Sequence, residues 1–204
     1  MKVILKNIAK KYESQWVFKN INVEINSKQK YAVLGTNGSG KSTLLRIISS
    51  YMLPTLGEVT YHSDNSIVAH DQVYKCVNYA APYINFVEEF SVKEFLKFHK
   101  QFKPFVKGYS VDEVLDEMQL KSQAHKKIAH LSSGMKQRLR LAVAFLTESK
   151  LILLDEPVTN LDSDAIKWYK YMIETYTQNK TLVVSSNSVE VEYEFCNYII
   201  SLNH

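Results

Sequence analysis

One short stretch limits what this chain can become. Residues 35–42 read Gly-Thr-Asn-Gly-Ser-Gly-Lys-Ser and hold three of the chain's six glycines. The apolar run Tyr31-Ala32-Val33-Leu34 precedes them, and Leu44, Leu45, Ile47 and Ile48 follow at helical spacing. That order predicts a strand buried on both faces, a tight loop and a helix. It also fits the phosphate-cradling pattern GxxxxGK(S/T). The glycines let successive backbone N–H groups turn inward, and the helix N-terminus adds positive potential. Gly35, Thr36, Asn37, Gly38, Ser39, Gly40, Lys41, Ser42 and Thr43 are therefore candidate nucleotide ligands. Lys41 would reach the β- and γ-phosphates, and the Ser42 hydroxyl would sit on Mg²⁺.

The rest of the chain supplies more of the same layering. Ile21, Val23 and Ile25 alternate with polar residues, and 58–61, 76–79, 151–154, 181–184 and 198–202 read as further strands. Met135, Leu139, Ala142, Val143 and Leu146 share a helical face, as do Ile166, Tyr169, Lys170 and Ile173. Over roughly 82–132 strands give way to two amphipathic helices, one capped by Ser91 and carrying Val92, Phe95, Leu96, Phe98, His99 and Phe102. The other holds Val111, Val114, Leu115 and Met118. The expectation is one α/β domain over 1–204. Its core, about 1–81 and 135–204, has a mostly parallel sheet with an antiparallel part toward the N-terminus. A helical subdomain, about 82–134, is inserted. In such sheets ligands gather at the carboxyl ends of the strands.

The strand at Leu151-Ile152-Leu153-Leu154 ends in Asp155 and Glu156, followed by Pro157. Leaving an unpaired carboxylate desolvated costs several kcal/mol, so two at a buried strand end need a reason. Asp155 beside a Mg²⁺ on Ser42 supplies one. Glu156 then has the role of orienting or deprotonating the attacking water.

Between these motifs lies Leu131-Ser132-Ser133-Gly134-Met135, followed by Lys136-Gln137-Arg138 at a helix start. With the phosphate loop upstream and LILLDEP downstream, the chain resembles an ATP-binding-cassette (ABC) ATPase domain along nearly its whole length. That resemblance implies a P-loop NTPase fold, ATP and Mg²⁺ as ligands, and hydrolysis. Leu131–Met135 matches the family signature usually written LSGGQ, whose Ser132 and Gly134 would contact the γ-phosphate held by a second subunit. Tyr12 matches the aromatic that stacks on adenine, and Asp162, in Thr159-Asn160-Leu161-Asp162, matches the D-loop at the dimer interface. Two cassettes would close head-to-tail on two ATPs, a homodimer being favoured, and drive a separately encoded transmembrane partner.

Two family positions differ. The Gln usual after the strand ending at Tyr79 would fall near Ala81-Pro82, yet no Gln occurs between Gln72 and Gln101. The usual His after the strand at 181–184 is Asn187 here, which can donate a hydrogen bond but cannot carry a proton. Removing one transition-state contact costs about 10²–10³ in rate, so slow or partner-dependent turnover is expected. Glu156 keeps the site competent.

Composition excludes several other classes. The net charge of +4 is too small for a chain defined by nucleic-acid binding, and no nucleic-acid partner is expected. Cys76 and Cys196 stand far apart without metal-ligand spacing, which excludes a disulfide scaffold and fits a reducing compartment. The longest run free of polar residues, Leu141–Leu146, is well short of the ~18 needed to span a membrane. No metal beyond ATP-bound Mg²⁺ is expected. The lysines at 93, 97, 100, 103 and 107 read as a solvated helix face, with anionic headgroups or an acidic partner loop as the alternative. The expected location is cytoplasmic, peripheral on the inner face of the cell membrane through a partner. The competing functions are a soluble ABC-type switch and a weakly hydrolysing, ATP-gated scaffold.

Overall fold

A computed structural model describes residues 1–64, 66–82 and 84–202, and its chain divides into two compact units. The first comprises Met1–Tyr79, Ser149–Glu156 and the chain from Asn179 onward. Its elements are strands β1 (Lys2–Tyr12), β2 (Gln15–Ile25) and β3 (Lys30–Leu34), helix α1 (Lys41–Ile48), and strands β4 (Leu56–Ser63), β5 (Ser66–Ile67), β6 (Val77–Ala80), β7 (Leu151–Asp155), β8 (Thr181–Ser186) and β9 (Tyr198–Ser201). They form an antiparallel sheet, β2-β1-β4-β5, and a five-stranded sheet, β6-β7-β8-β3-β9. In the latter, β3 runs parallel to β8 and β9, and β7 parallel to β8.

The sequence pattern explains both sheets. β3, β7 and β8 are short, apolar and buried along almost their whole length, as parallel strands covered on both faces must be. β1 is amphipathic with a slip in phase: Val3 and Leu5 are buried, then Ile8. A register shift between Leu5 and Ile8 restores the inward face, and Asn7 takes φ 52° there. Opposite it, Gly57 has φ 88°, and a Cβ would meet the Lys6 and Asn7 carbonyl oxygens at 2.4 Å. Val3, Leu5, Ile8, Leu44, Ile48, Val59, Tyr61, Leu151 and Val183 belong to one apolar cluster, and the Tyr61 hydroxyl donates to the Ile47 carbonyl at 3.1 Å.

The second unit, Ala80–Glu148 and Pro157–Gln178, contains the inserted segment and the two longest helices. Its helices are α2 (Val92–Phe102), α3 (Val111–Glu117), α4 (Ser133–Leu146) and α5 (Ser163–Tyr176). Each starts on a side-chain cap. Ser91 with Glu94 and Ser110 with Glu113 close reciprocal capping boxes, while Ser132 and Asp162 cap α4 and α5. Between 84 and 134 the extended pairings are the isolated bridges Ser91–Lys127 and Phe105–Thr147. The buried face of α5 differs from the expected one. Ala165, Trp168, Tyr169, Met172, Ile173 and Tyr176 form the inward face at regular helical spacing and Lys170 faces solvent; the Trp168 indole donates to the Glu117 carbonyl at 2.8 Å.

Candidate functional site

In the first unit the loop between β3 and α1 is shaped by its glycines. Gly40 caps α1 with φ 97°, and a Cβ there would come within 2.5 Å of Val17 and 2.8 Å of Phe18. Both conformation and space therefore require glycine. Gly38 has φ 82° and an open surrounding. A Cβ at Gly35 would fall 2.5 Å from the Ser39 hydroxyl oxygen, which is buried and has no hydrogen-bond partner. Thr36 and Asn37 are exposed on the rim, and Ser42 and Thr43 are half-buried in the first turn of α1.

Lys41 is only 5% exposed, and its ammonium is surrounded by oxygen. Nζ donates to the Gly35 carbonyl at 2.8 Å, the Thr36 carbonyl at 3.0 Å and Asn187 Oδ1 at 2.5 Å. The other end of the same amide, Asn187 Nδ2, donates to Glu156 Oε1 at 2.6 Å. One neutral side chain thus joins the loop lysine to the carboxylate expected to act on water. An amide between an ammonium and a carboxylate satisfies both in a single orientation. Glu156 is itself unusual, a non-glycine residue at φ 47°, a conformation that costs about 1–3 kcal/mol. Its N–H donates to the Ser185 carbonyl at 3.1 Å, which ties the strained backbone to β8.

Asp155, 2% exposed, ends β7 beside Ser185 of β8. Its Oδ1 accepts from the Ser185 hydroxyl and its Oδ2 from the Tyr79 hydroxyl at 3.3 Å. Burial, and next the charge of Asp155, hold the Tyr79 phenol protonated far above its ordinary range, while Arg46 pulls the other way. Tyr79 and Ser185 are site residues that motif reading missed. For Ser185 the available signal was the serine pair closing a largely apolar strand; Tyr79, inside Val77-Asn78-Tyr79-Ala80, carried none.

These groups fit a magnesium-bound polyphosphate. Ser39 offers a buried hydroxyl without a partner, Lys41 an ammonium held only by uncharged oxygens, and Ser42 and Asp155 the hard oxygen donors that Mg²⁺ takes. Among the described residues no group of three His, Cys, Asp or Glu side chains forms a separate metal site. Tyr12 ends β1 with its ring 46% exposed, its hydroxyl on the Met52 sulfur at 3.3 Å and Lys10 Nζ 5.5 Å from the ring centre. At the place of the usual Gln, Ala81 is buried and Pro82 half-buried; Tyr83 lies outside the described residues.

The second unit brings the other motifs together. Ser132, Gly134, Met135, Arg138, Asn160 and Asp162 line one cavity of about 280 Å³. Leu131 is buried beneath the start of α4, and Ser133 is exposed. The Ser132 hydroxyl oxygen accepts from the Met135 N–H at 3.2 Å, and Asp162 Oδ1 from the Ala165 N–H at 2.8 Å. Gly134 lies so close to the Asn160 carbonyl that a Cβ would meet it at 2.9 Å. Asn160 has φ 64°.

Known proteins share this layout. The ABC transporter family profile matches residues 18–159. An uncharacterized ABC transporter ATP-binding protein of Bacillus subtilis, YcbN, is 31% identical over 182 residues, covering 88% of this chain and 59% of its own length. The bacitracin transport ATP-binding protein BcrA of Bacillus licheniformis is 27% identical over 190 residues, covering 92% of this chain and 62% of its own. The chain thus spans about three fifths of these relatives. A dimeric ATP-binding cassette in a post-hydrolysis state, bound to ADP and Pi, superposes with a TM-score of 0.84 at 28% identity, over 98% of this chain and 94% of that one. Because the matched segment contains the phosphate loop, the Ser132–Gly134 helix start and both strand-end carboxylates in the expected order, this chain belongs to the ABC transporter family.

Proposed function

We propose that this chain is an ATP-binding and ATP-hydrolysing subunit that pairs with a second cassette around two ATPs and drives a separately encoded membrane transporter. The observation that carries the reading is the join of Lys41 to Glu156 through Asn187, which puts a phosphate-binding ammonium and a candidate base on one side chain. The dimeric relative bound to ADP and Pi supports the pairing, and the relatives' names support a transport role. No helix among the described residues is long and apolar enough to cross a membrane; the membrane-spanning partner is inferred from the transporter names of the relatives. The helical segment 82–134 would face it, with the subunit on the inner side of the cell membrane.

In this reading the loop 35–43 holds the phosphates, Tyr12 stacks on adenine, and Ser132 and Gly134 meet the γ-phosphate of the second subunit, with Asp162 at the interface. Ser42 and Asp155 would hold Mg²⁺, which supplies positive charge to the phosphate oxygens. Glu156 accepts a proton from water as the water oxygen bonds to the γ-phosphorus and the bond to the bridging oxygen of ADP breaks. Lys41 leaves the Asn187 carbonyl for a phosphate oxygen, and Asn187 keeps Glu156 oriented. The absence of a protonatable group at 187 favours slow turnover, and a weakly hydrolysing scaffold is the second reading.

Mg-ATP turnover measured across protein concentrations, with Glu156→Gln as blank, tests this. Turnover that rises faster than linearly and disappears in the variant is the expected result. ATP binding without turnover above the blank would overturn hydrolysis by this chain alone and favour the scaffold.

A further inference from the structure

Arg140, on α4, has a guanidinium partly withdrawn from water, and that partial burial lowers its pKa. None of the ion pairs among the described residues includes it. Its Nη1 donates to Gln137 Oε1 at 2.5 Å and its Nη2 to the Ile84 carbonyl at 3.2 Å. The guanidinium carbon lies 5.3 Å from the ring centre of Phe86, and Nε is buried without a partner. Gln137, only 3% exposed, passes the contact on: its Nε2 donates to the Pro157 carbonyl at 2.8 Å. Both amide ends are committed: Arg140 donates on one side to the Ile84 carbonyl and on the other to Gln137, and Gln137 in turn donates to Pro157.

A partly buried cation without a counter-ion gives up hydration without gaining an ion pair. What the arginine adds is a planar fork able to hold two acceptors at once. Pro157 follows Glu156 in the chain, and Glu156 has the left-handed φ of 47°. Within the first unit the Glu156 N–H is bonded to β8, and within the second the Pro157 carbonyl accepts from Gln137. The segment at Ile84 and Phe86 follows the place where the family's Gln is missing, and Ala81 and Pro82 bring no polar side chain of their own.

We propose that Arg140 is a positioning residue for ATP hydrolysis: through Gln137 it sets the Pro157 carbonyl, and so the backbone of Glu156, according to whether the Ile84–Phe86 segment is seated on it. This rests on the hydrolysis reading above. A displacement of that segment would loosen Arg140 and, two hydrogen bonds later, the residue expected to act on water. The relay does in hydrogen bonds what a single side chain at the missing Gln cannot do here.

The test is a double-variant cycle on the full chain, with Arg140→Met and Gln137→Met keeping the side-chain bulk. Each single variant is expected to lower kcat about tenfold to a hundredfold, the scale set by a small misplacement of a catalytic group, with KM for ATP nearly unchanged. The double variant should be no slower than the worse single, because both break one chain. Hydrogen–deuterium exchange in a peptide covering 155–161 should speed up in all three. Arg140→Lys should fail to restore kcat, since an ammonium lacks the fork. Multiplying effects, a change confined to KM, or unchanged exchange over 155–161 would each overturn the relay. A wild-type chain without turnover would sink the hydrolysis reading, and exchange over 155–161 would then decide the relay alone.

Discussion

The first unit's site and the second unit's cavity handle charge in opposite ways. In the first, charged groups are tied to uncharged polar groups: Lys41 to two carbonyls and Asn187, Glu156 to the same Asn187, Asp155 to two hydroxyls. In the second, the cavity around Ser132 and Gly134 is built from helix starts and close backbone approach, with Asp162 spent as a cap and Arg138 lying 5.2 Å over Trp168. One is a set of charges that a ligand must rearrange. The other is a set of fixed dipoles that a ligand need only meet. Catalytic power and its dependence on single residues should concentrate in the first, and shape in the second.

The largest effect should follow from removing the charge at the centre of that contrast. Lys41→Ala leaves the Asn187 carbonyl and two backbone oxygens around a space that a phosphate would enter with no cation to meet it. Truncating one partner of a buried charge pair costs roughly 2–5 kcal/mol, thirtyfold to several-thousandfold in Kd. Titration with a fluorescent ATP analogue should show a loss of that size. Unchanged affinity would mean that the phosphates bind elsewhere.

Asn187 sharpens the comparison because it is the neutral link between two charges. Asn187→Ala should lower kcat about tenfold or more by releasing Glu156, while ATP binding stays equal or tightens as Lys41 loses a competing acceptor. A weaker Kd with intact kcat would reverse these roles. Asn187→His replaces an amide with a group whose ordinary pKa is near 6.5, so turnover should acquire a pH dependence around neutrality that the native chain lacks. Parallel pH profiles for the two proteins would show that residue 187 does not touch the reacting groups.

How much of this was legible depended on how local the signal was. The phosphate loop was read from eight residues, because conformation and ligand chemistry there are set by neighbours in sequence. Asp155 and Glu156 were found because apolar strands seldom end in two carboxylates. Their partners were not: Ser185 meets Asp155 through parallel pairing with a strand thirty residues on, and no local pattern specifies that register. Asn187 was identified by position, yet its bond to Lys41 spans 146 residues and depends on the whole sheet. The phase slip at Asn7 escapes simple periodicity because a bulge resets the strand's alternation. Arg140 has no motif around it in the sequence; its role depends on Gln137 and on the distant Ile84.

The smallest expected effect lies in the second unit, which contains a titratable group its cavity does not use. His99 packs between Phe95 and Phe105, and its Nε2 lies 2.9 Å from the Thr147 hydroxyl. Burial, reinforced by the charge of Lys103, lowers its pKa from 6.5 to about 4. The unfolded chain therefore takes up this proton before the folded one does. The stability His99 contributes is complete above pH 6.5 and is lost as pH falls toward 4, amounting to about 2 kcal/mol between pH 7 and 5. Urea unfolding of the native chain and of His99→Leu, compared at both pH values, isolates that slope from the carboxylates that titrate in each. A steeper loss in the native chain is expected. Identical slopes would mean that the imidazole is protonated as easily folded as unfolded.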